Sequence, residues 1–189
     1  MSSKVFYTDG ACKGNPGPGG FGVVSIEETQ IRKRDNWGNW RADSTEQTLV
    51  YSYNESCNFT TNNREELKAI LHVFQLAAAD KDNKYIIYSD SAYAVNMIND
   101  WIKGWAKNNW FNSKKQKVEN LDLVQEIYKY LTTDFFNCQV KKVAGHAGIV
   151  ENELADALAT EDMNKFNQII QKNHILTNEQ IYDIIKCIK

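Results

Sequence analysis

Tyr7-Thr-Asp-Gly-Ala-Cys-Lys-Gly-Asn-Pro-Gly-Pro-Gly-Gly-Phe-Gly22 is the stretch from which the architecture is read. It starts inside Lys4–Asp9, an alternating run rich in strand-forming residues. It then crosses a turn-forming segment that holds six of the chain's ten glycines and both prolines. It ends in Phe21–Ile26, a second β-rich run, so the whole reads as strand, tight loop, strand. Gly17, Gly19 and Gly22 spell a literal G-x-G-x-x-G. A dinucleotide site needs that pattern to open a helix whose amino end meets the pyrophosphate. Val23-Val24-Ser25-Ile26 continues as strand instead, and the dinucleotide reading fails. Two readings remain: a tight β connection, or a loop that holds its amides and Asn15 close to a ligand's sugar.

Outward from this stretch, Gln47–Tyr53 reads as a third strand. The polar Glu27–Glu46 between them, with Trp37-Gly-Asn-Trp40, reads as a long hairpin excursion, an insertion over about residues 27–58. Thr61 or Asn62 caps a helix whose apolar positions 67, 70, 71, 74, 77 and 78 keep helical spacing. Tyr85-Ile-Ile-Tyr88 is apolar throughout, as a central strand covered on both faces must be. Ser91–Ile102 reads as helix, and Asn120 as the cap of another with Leu121, Val124, Tyr128 and Leu131 on one face. Cys138–Val143 is a strand, Ala144–Val150 a loop and Glu151–Asp162 a helix. The order β-β-β-α-β-α-α-β-α predicts an α/β domain over residues 1–162. Residues 163–189 add one or two short helices (Phe166, Ile169 and Ile170, then Ile181, Ile184, Ile185 and Ile188), expected to pack on the domain or to mediate self-association.

The chain has 22 basic and 24 acidic side chains, a formal charge of −2, with 42% apolar residues. That balance excludes a disordered tail and argues against a nucleic-acid binder driven by net charge. Cys12, Cys57, Cys138 and Cys187 show no C-x-x-C spacing, so neither zinc nor a disulfide framework fits. No P-loop and no G-x-S-x-G elbow occurs. No apolar run has the length of a signal peptide or a membrane span, which predicts a reduced, intracellular protein, cytoplasmic or, in a eukaryote, nuclear.

Four acids sit beside backbone-permissive or small residues. Asp9 ends a strand before Gly10, and Asp90 ends the apolar strand 85–89. Glu66 lies next to the apolar stripe of its helix, and Asp156 between Ala155 and Ala157. If the two strands are parallel neighbours, Asp9 and Asp90 meet at their carboxyl ends, where α/β sheets place their sites. Clustered carboxylates repel unless neutralised, and a hard divalent cation such as Mg²⁺ does this with oxygen ligands. Two such ions can clamp the attacking and leaving oxygens of a phosphoryl displacement. His146, between Gly145 and Ala147-Gly148, reads either as an ordinary exposed loop histidine or as a mobile one suited to proton transfer near neutral pH. Trp101, Trp105 and Trp110 interleave with five lysines, and no acid stands between Trp101 and Val118. That stretch reads either as a core pair of tryptophans with a solvated lysine face, or as a patch meeting phosphates and sugars or bases.

Taken together, Tyr7–Gly22, Thr60-Thr-Asn-Asn-Arg-Glu-Glu-Leu67, Tyr88-Ser-Asp-Ser-Ala-Tyr93 and Gly145-His-Ala-Gly148 with Glu151-Asn-Glu153 and Asp156 closely resemble type-1 ribonuclease H. The resemblance runs in order from about Lys4 to Ala159. It implies an α/β ribonuclease H-like fold, a five-stranded mixed sheet flanked by helices, here with a C-terminal helical extension. It also implies endonucleolytic cleavage of the RNA strand of an RNA–DNA hybrid, leaving 5′-phosphate and 3′-hydroxyl ends. By motif position Asp9, Glu66, Asp90 and Asp156 match the family's metal-binding acids, for two Mg²⁺ ions with Mn²⁺ as a substitute, and His146 its mobile histidine. Cys12, Gly14, Asn15, Asn62 and Asn63 fall where the family contacts the RNA strand. Tyr93, Trp101 and Trp105 fall along its DNA-strand channel, and Thr61 and Asn120 at its DNA-phosphate grip. The chain departs from the family pattern at Phe59, where an arginine is common, at Ala92, which replaces a longer side chain, and in its longer 27–46 excursion. The resemblance implies a hybrid duplex as partner, with no membrane and no obligatory protein partner. Rival readings are a DNA resolvase on the same fold and a non-catalytic hybrid-binding module.

Overall fold

The computed structural model describes residues 3–133 and 136–177. Its strands are β1 (Ser3–Cys12), β2 (Gly17–Arg34), β3 (Trp40–Thr60), β4 (Lys84–Ser89) and β5 (Cys138–Lys142). Its helices are α1 (Asn62–Ala79), α2 (Ala92–Asn96), α3 (Ile102–Lys107), α4 (Leu121–Leu131), α5 (Val150–Ala159) and α6 (Met163–Lys172). A π-helical turn, Met97–Trp101, joins α2 to α3. The five strands form one sheet in the order β3-β2-β1-β4-β5. The β1/β2 and β2/β3 pairs are antiparallel, and β1/β4 and β4/β5 are parallel. The mixed sheet and the element order are those expected.

Side chains alternate across the sheet with period two. Phe6, Phe21, Val23, Tyr85 and Ile87 point into one core, with Leu67, Ile70 and Phe74 of α1 and Val124 and Ile127 of α4. Tyr7, Val24 and Ile26 point the other way, against Leu154 and Leu158 of α5 and Phe166 and Ile170 of α6. The second face closes tightly. A Cβ on Gly22 would lie 2.2 Å from the Ala155 carbonyl oxygen and 2.7 Å from Leu158 Cβ, so only glycine lets α5 rest on β2. Gly22→Ala is therefore expected to destabilise the fold by roughly 1–3 kcal/mol, as overpacking does; the shift of the urea midpoint measures it.

The 27–46 excursion is a regular β-ribbon formed by the outer parts of β2 and β3. β2 and β3 stay paired from Gly17↔Thr60 to Arg34↔Trp40, with register shifts at Gly17/Gly19, Ser25/Ile26 and Ile31/Arg32. Asp35 closes the tip by accepting from the Trp37 and Asn39 amides at 3.0 and 2.9 Å. Beyond Ile26 the ribbon is largely exposed on both faces, which removes the alternation that marks a half-buried strand and explains why sequence alone ends both strands early.

Two further differences concern helices. The helix expected to stop near Ile102 runs on to Lys107, past the π turn. Asn120 does precede α4, but its side chain makes no capping bond. Its backbone is left-handed (φ 52°), and its Oδ1 accepts instead from Arg64 Nη1 at 3.5 Å. Of the one or two tail helices expected, the first, α6, packs on the domain, burying Phe166 and Ile170. The chain after it returns to β3, where the Leu49 amide donates to the Leu176 carbonyl at 2.8 Å. The second, over residues 181–188, and Cys187 lie outside the described residues. Among the described residues no helix is long and apolar enough to cross a membrane.

Candidate active site

The register of two parallel strands builds the centre of the site. Tyr7 pairs with Tyr88 and Thr8 with Ser89, so Asp9 and Asp90 come side by side where β4 ends, while β1 does not end at Asp9 as expected but runs on to Cys12, paired with β2. α1 supplies the third acid. A Cβ on Gly10 would lie 2.3 Å from the Glu66 amide nitrogen, so the absent side chain is what allows this helix against β1. Ligand oxygens of Asp9, Glu66 and Asp90 all lie within 4.8 Å of one another.

Asp9 and Glu66 are buried, and Asp90 is half-buried. Few neutral donors serve them. The Gly10 amide donates to Asp9 Oδ1 at 2.9 Å, Asn152 Nδ2 to Asp90 Oδ2 at 3.2 Å, and Ser89 Oγ to Glu66 Oε2 at 3.5 Å. Burial, then the charges of Asp90 and Asp156, push the Asp9 carboxyl up to about 7. Burial, then Asp9 and Asp90, raise Glu66 well above the ordinary carboxylate range. Such a trio either takes up protons or takes up a cation, and its all-oxygen donor set suits a hard divalent ion.

Asp156 falls outside the trio but not out of reach. Its charge helps to raise Asp9. Its Oδ2 is engaged by Lys165 Nζ at 2.5 Å. His146 stands on an exposed loop with left-handed backbone (φ 50°). That loop backs onto Asp90 at Gly145, where a Cβ would meet Asp90 Oδ2 at 2.6 Å.

The remaining sequence-predicted residues form two groups beside the acids. In the first, Cys12 Sγ donates to the Thr60 and Gly17 carbonyls at 3.2 and 3.4 Å, and Gly14 adopts a positive φ of 84°. Asn15 Oδ1 accepts from the Asn62 amide at 3.1 Å, tying the glycine loop to the start of α1 beside Asn63. Thr61 caps that helix, its Oγ1 accepting from the Arg64 amide at 3.4 Å. Asn120 approaches the same corner through Arg64, whose guanidinium grips Asp122 at 3.0 and 2.5 Å. Phe59 is exposed. In the second group Tyr93 meets Trp101 edge-on at 6.1 Å, and Trp101 meets Trp105 at 5.8 Å. Trp101 is exposed, whereas Trp105 and Trp110 pack partly against the core, so the stretch is both core and surface.

Sequence reasoning missed three features. Asn152 lies four residues before Asp156 on α5, a spacing that could have singled it out. Lys165 follows a break between helices and gives no such signal. Glu65, fully buried next to Glu66, accepts from Thr60 Oγ1 at 2.6 Å and pairs with Lys68 at 2.9 Å, so its role is to fasten β3 to α1.

The family described as RNase H matches residues 1–164. The Ribonuclease H of Caldicellulosiruptor saccharolyticus is 40% identical over 160 residues, which are 84% of this chain and 94% of that protein. Among solved structures, LC9-RNase H1, a type 1 RNase H with the type 2 active-site motif, is similar at 28% identity and a TM-score of 0.61, over 84% of this chain and 71% of that one. LC11-RNase H1, solved in complex with an RNA/DNA hybrid, shares the fold at 21% identity and a TM-score of 0.52, over 85% of this chain and 98% of that one. With the family matched over residues 1–164 and a relative 40% identical over most of both chains, the chain belongs to the RNase H family.

Proposed function

We propose that the chain is an endoribonuclease that cleaves the RNA strand of RNA–DNA hybrids by metal-dependent hydrolysis. The observation that carries this reading is the trio Asp9, Glu66 and Asp90, two of them buried and both held well above the ordinary carboxylate range. These acids, with Asp156, would hold two divalent cations, Mg²⁺ for preference. Bound there, such ions supply water activated for attack at phosphorus and charge to stabilise the departing 3′ oxygen.

The protein's own groups have distinct tasks in this scheme. Asn152 orients Asp90 by its hydrogen bond, and Gly10 orients Asp9. His146, on its exposed loop, is placed to take or deliver a proton. Asn15, Asn62 and Asn63 present amide groups that can both donate to and accept from a 2′-hydroxyl, the group that distinguishes RNA from DNA. The Tyr93–Trp101–Trp105 row offers aromatic faces to the sugars of the DNA strand, and Thr61 with Asn120 a polar corner for a phosphate. The products carry 5′-phosphate and 3′-hydroxyl ends. Membership in the family and the hybrid in the LC11-RNase H1 structure support the choice of substrate.

Labelled RNA–DNA hybrid, double-stranded RNA and double-stranded DNA incubated with the protein and Mg²⁺ or Mn²⁺ test the proposal. Cleavage is expected in the RNA strand of the hybrid alone. Cleavage of branched or duplex DNA in preference to hybrid would replace it with a resolvase, and no cleavage of any substrate with a binding module.

A further inference from the structure

Among the described residues, one cation stands in ion-pair contact with any of the four acids: Lys165, whose Nζ lies 2.5 Å from Asp156 Oδ2. Lys142 reaches the neighbourhood as well, but it donates to the backbone carbonyl of Asp90 and leaves that carboxylate free of an ion pair. Lys165 belongs to α6, one residue beyond the 1–164 segment that matches the family. The segment after the helix break therefore supplies the cation that answers the site's fourth acid.

The placement is built rather than incidental. Asp162 Oδ1 accepts from the Lys165 amide at 2.9 Å and fixes the start of α6. Phe166 and Ile170 anchor that helix in the core shared with Leu154 and Leu158 of α5. The backbone origin of Lys165 is thus fixed relative to α5, while its four-carbon stem stays flexible and its head more than a third exposed. The same Asp156 carboxylate also faces Asp9. One carboxylate is shared between the tail's ammonium and the buried acids.

We infer that Lys165 is a positioning residue that holds Asp156 in the metal-free protein and is displaced when a divalent cation binds that carboxylate. The inference rests on the acids' being metal ligands, as proposed above. It makes α6 part of the metal site: an ammonium and a divalent ion compete for one oxygen, and the ion's apparent affinity is lowered by the competition. A partly exposed ion pair is worth a modest amount, so the expected effect is about three- to tenfold in affinity.

Calorimetric titration of the full chain with Mn²⁺ alone, without nucleic acid, reads this out independently of turnover. Lys165→Gln is expected to tighten the weaker Mn²⁺ binding step about three- to tenfold, and Lys165→Arg, which keeps the charge, to restore wild-type affinity. Lys172→Gln, which removes an equal charge from the exposed end of α6, is expected to leave the isotherm unchanged. In an Asp156→Asn background, Lys165→Gln is expected to have no effect. Unchanged or weakened Mn²⁺ binding in Lys165→Gln overturns the inference, as does equal tightening by Lys172→Gln or persistence of the effect without Asp156. A wild-type chain that binds no Mn²⁺ at all overturns the metal reading itself, a different and recognisable result.

Discussion

Asp90→Asn is expected to lower the rate of hybrid cleavage by at least about a thousandfold while leaving the protein folded, since stabilisation of transition-state charge by a divalent ion is worth several kcal/mol. Asparagine has the size of aspartate, and its Oδ1 can still accept from Asn152 Nδ2, which donates to Asp90 Oδ2 at 3.2 Å. What the change removes is one negative charge from a trio whose oxygens lie within 4.8 Å. Because Asp90 also raises both Asp9 and Glu66, its neutralisation relaxes two neighbours and favours the metal-free fold. Single-turnover cleavage alongside a thermal melt separates the two effects: activity collapses while the melting temperature holds or rises. Activity within tenfold of wild type would remove Asp90 from the site.

Asp9→Asn is expected to stabilise the metal-free protein at pH 8 and to do little at pH 4. The Asp9 carboxyl stands at about 7 in the fold against 3.8 for an unperturbed aspartate. A raised acid binds its proton more tightly in the folded state. The folded chain thus holds more protons than the unfolded one between pH 4 and 7, and stability falls as pH rises through that window. The full shift corresponds to about 4 kcal/mol at 1.36 kcal/mol per unit, and relaxation of the site reduces this to roughly 2–4 kcal/mol. Glu66 is raised in the same direction, so a smaller slope remains in the variant. Urea midpoints in chelator at pH 4 and pH 8 measure the difference. Mg²⁺ should stabilise the wild type more at pH 8 than at pH 5, where protons already occupy the acids. A variant less stable than wild type at pH 8 in chelator would show that Asp9 carries no electrostatic strain.

Much of this architecture was legible in the sequence because local rules and tertiary demands coincide. The apolar run 85–88 reads as a covered strand, and the structure adds the parallel pairing of β1 with β4 and the register Thr8↔Ser89. From that register the meeting of Asp9 and Asp90 is almost forced. Glu66 was readable because it sits next to an apolar stripe that must face the sheet, and Gly22 explains why a helix with alanines around Asp156 can lie so close. The illegible parts have physical causes as well. The ribbon from Glu27 to Gln47 has no core beneath its outer length, so it carries no alternation to read. Asn120 looks like a helix cap by residue type, yet its left-handed backbone and its bond to Arg64 give the side chain other work. Lys165 reaches Asp156 across a break between helices, and contacts of that kind have no sequence period.

In the proposed reaction, divalent ions held by these acids would direct water, and not the RNA's own 2′-hydroxyl, to the phosphorus. End-group analysis of the RNA fragments released from a defined RNA–DNA hybrid in Mg²⁺ tests it most directly. The fragments are expected to carry 5′-phosphate and 3′-hydroxyl ends, formed only with metal present and lost in Asp90→Asn. Fragments ending in a 2′,3′-cyclic phosphate, or cleavage that persists in chelator, would contradict it.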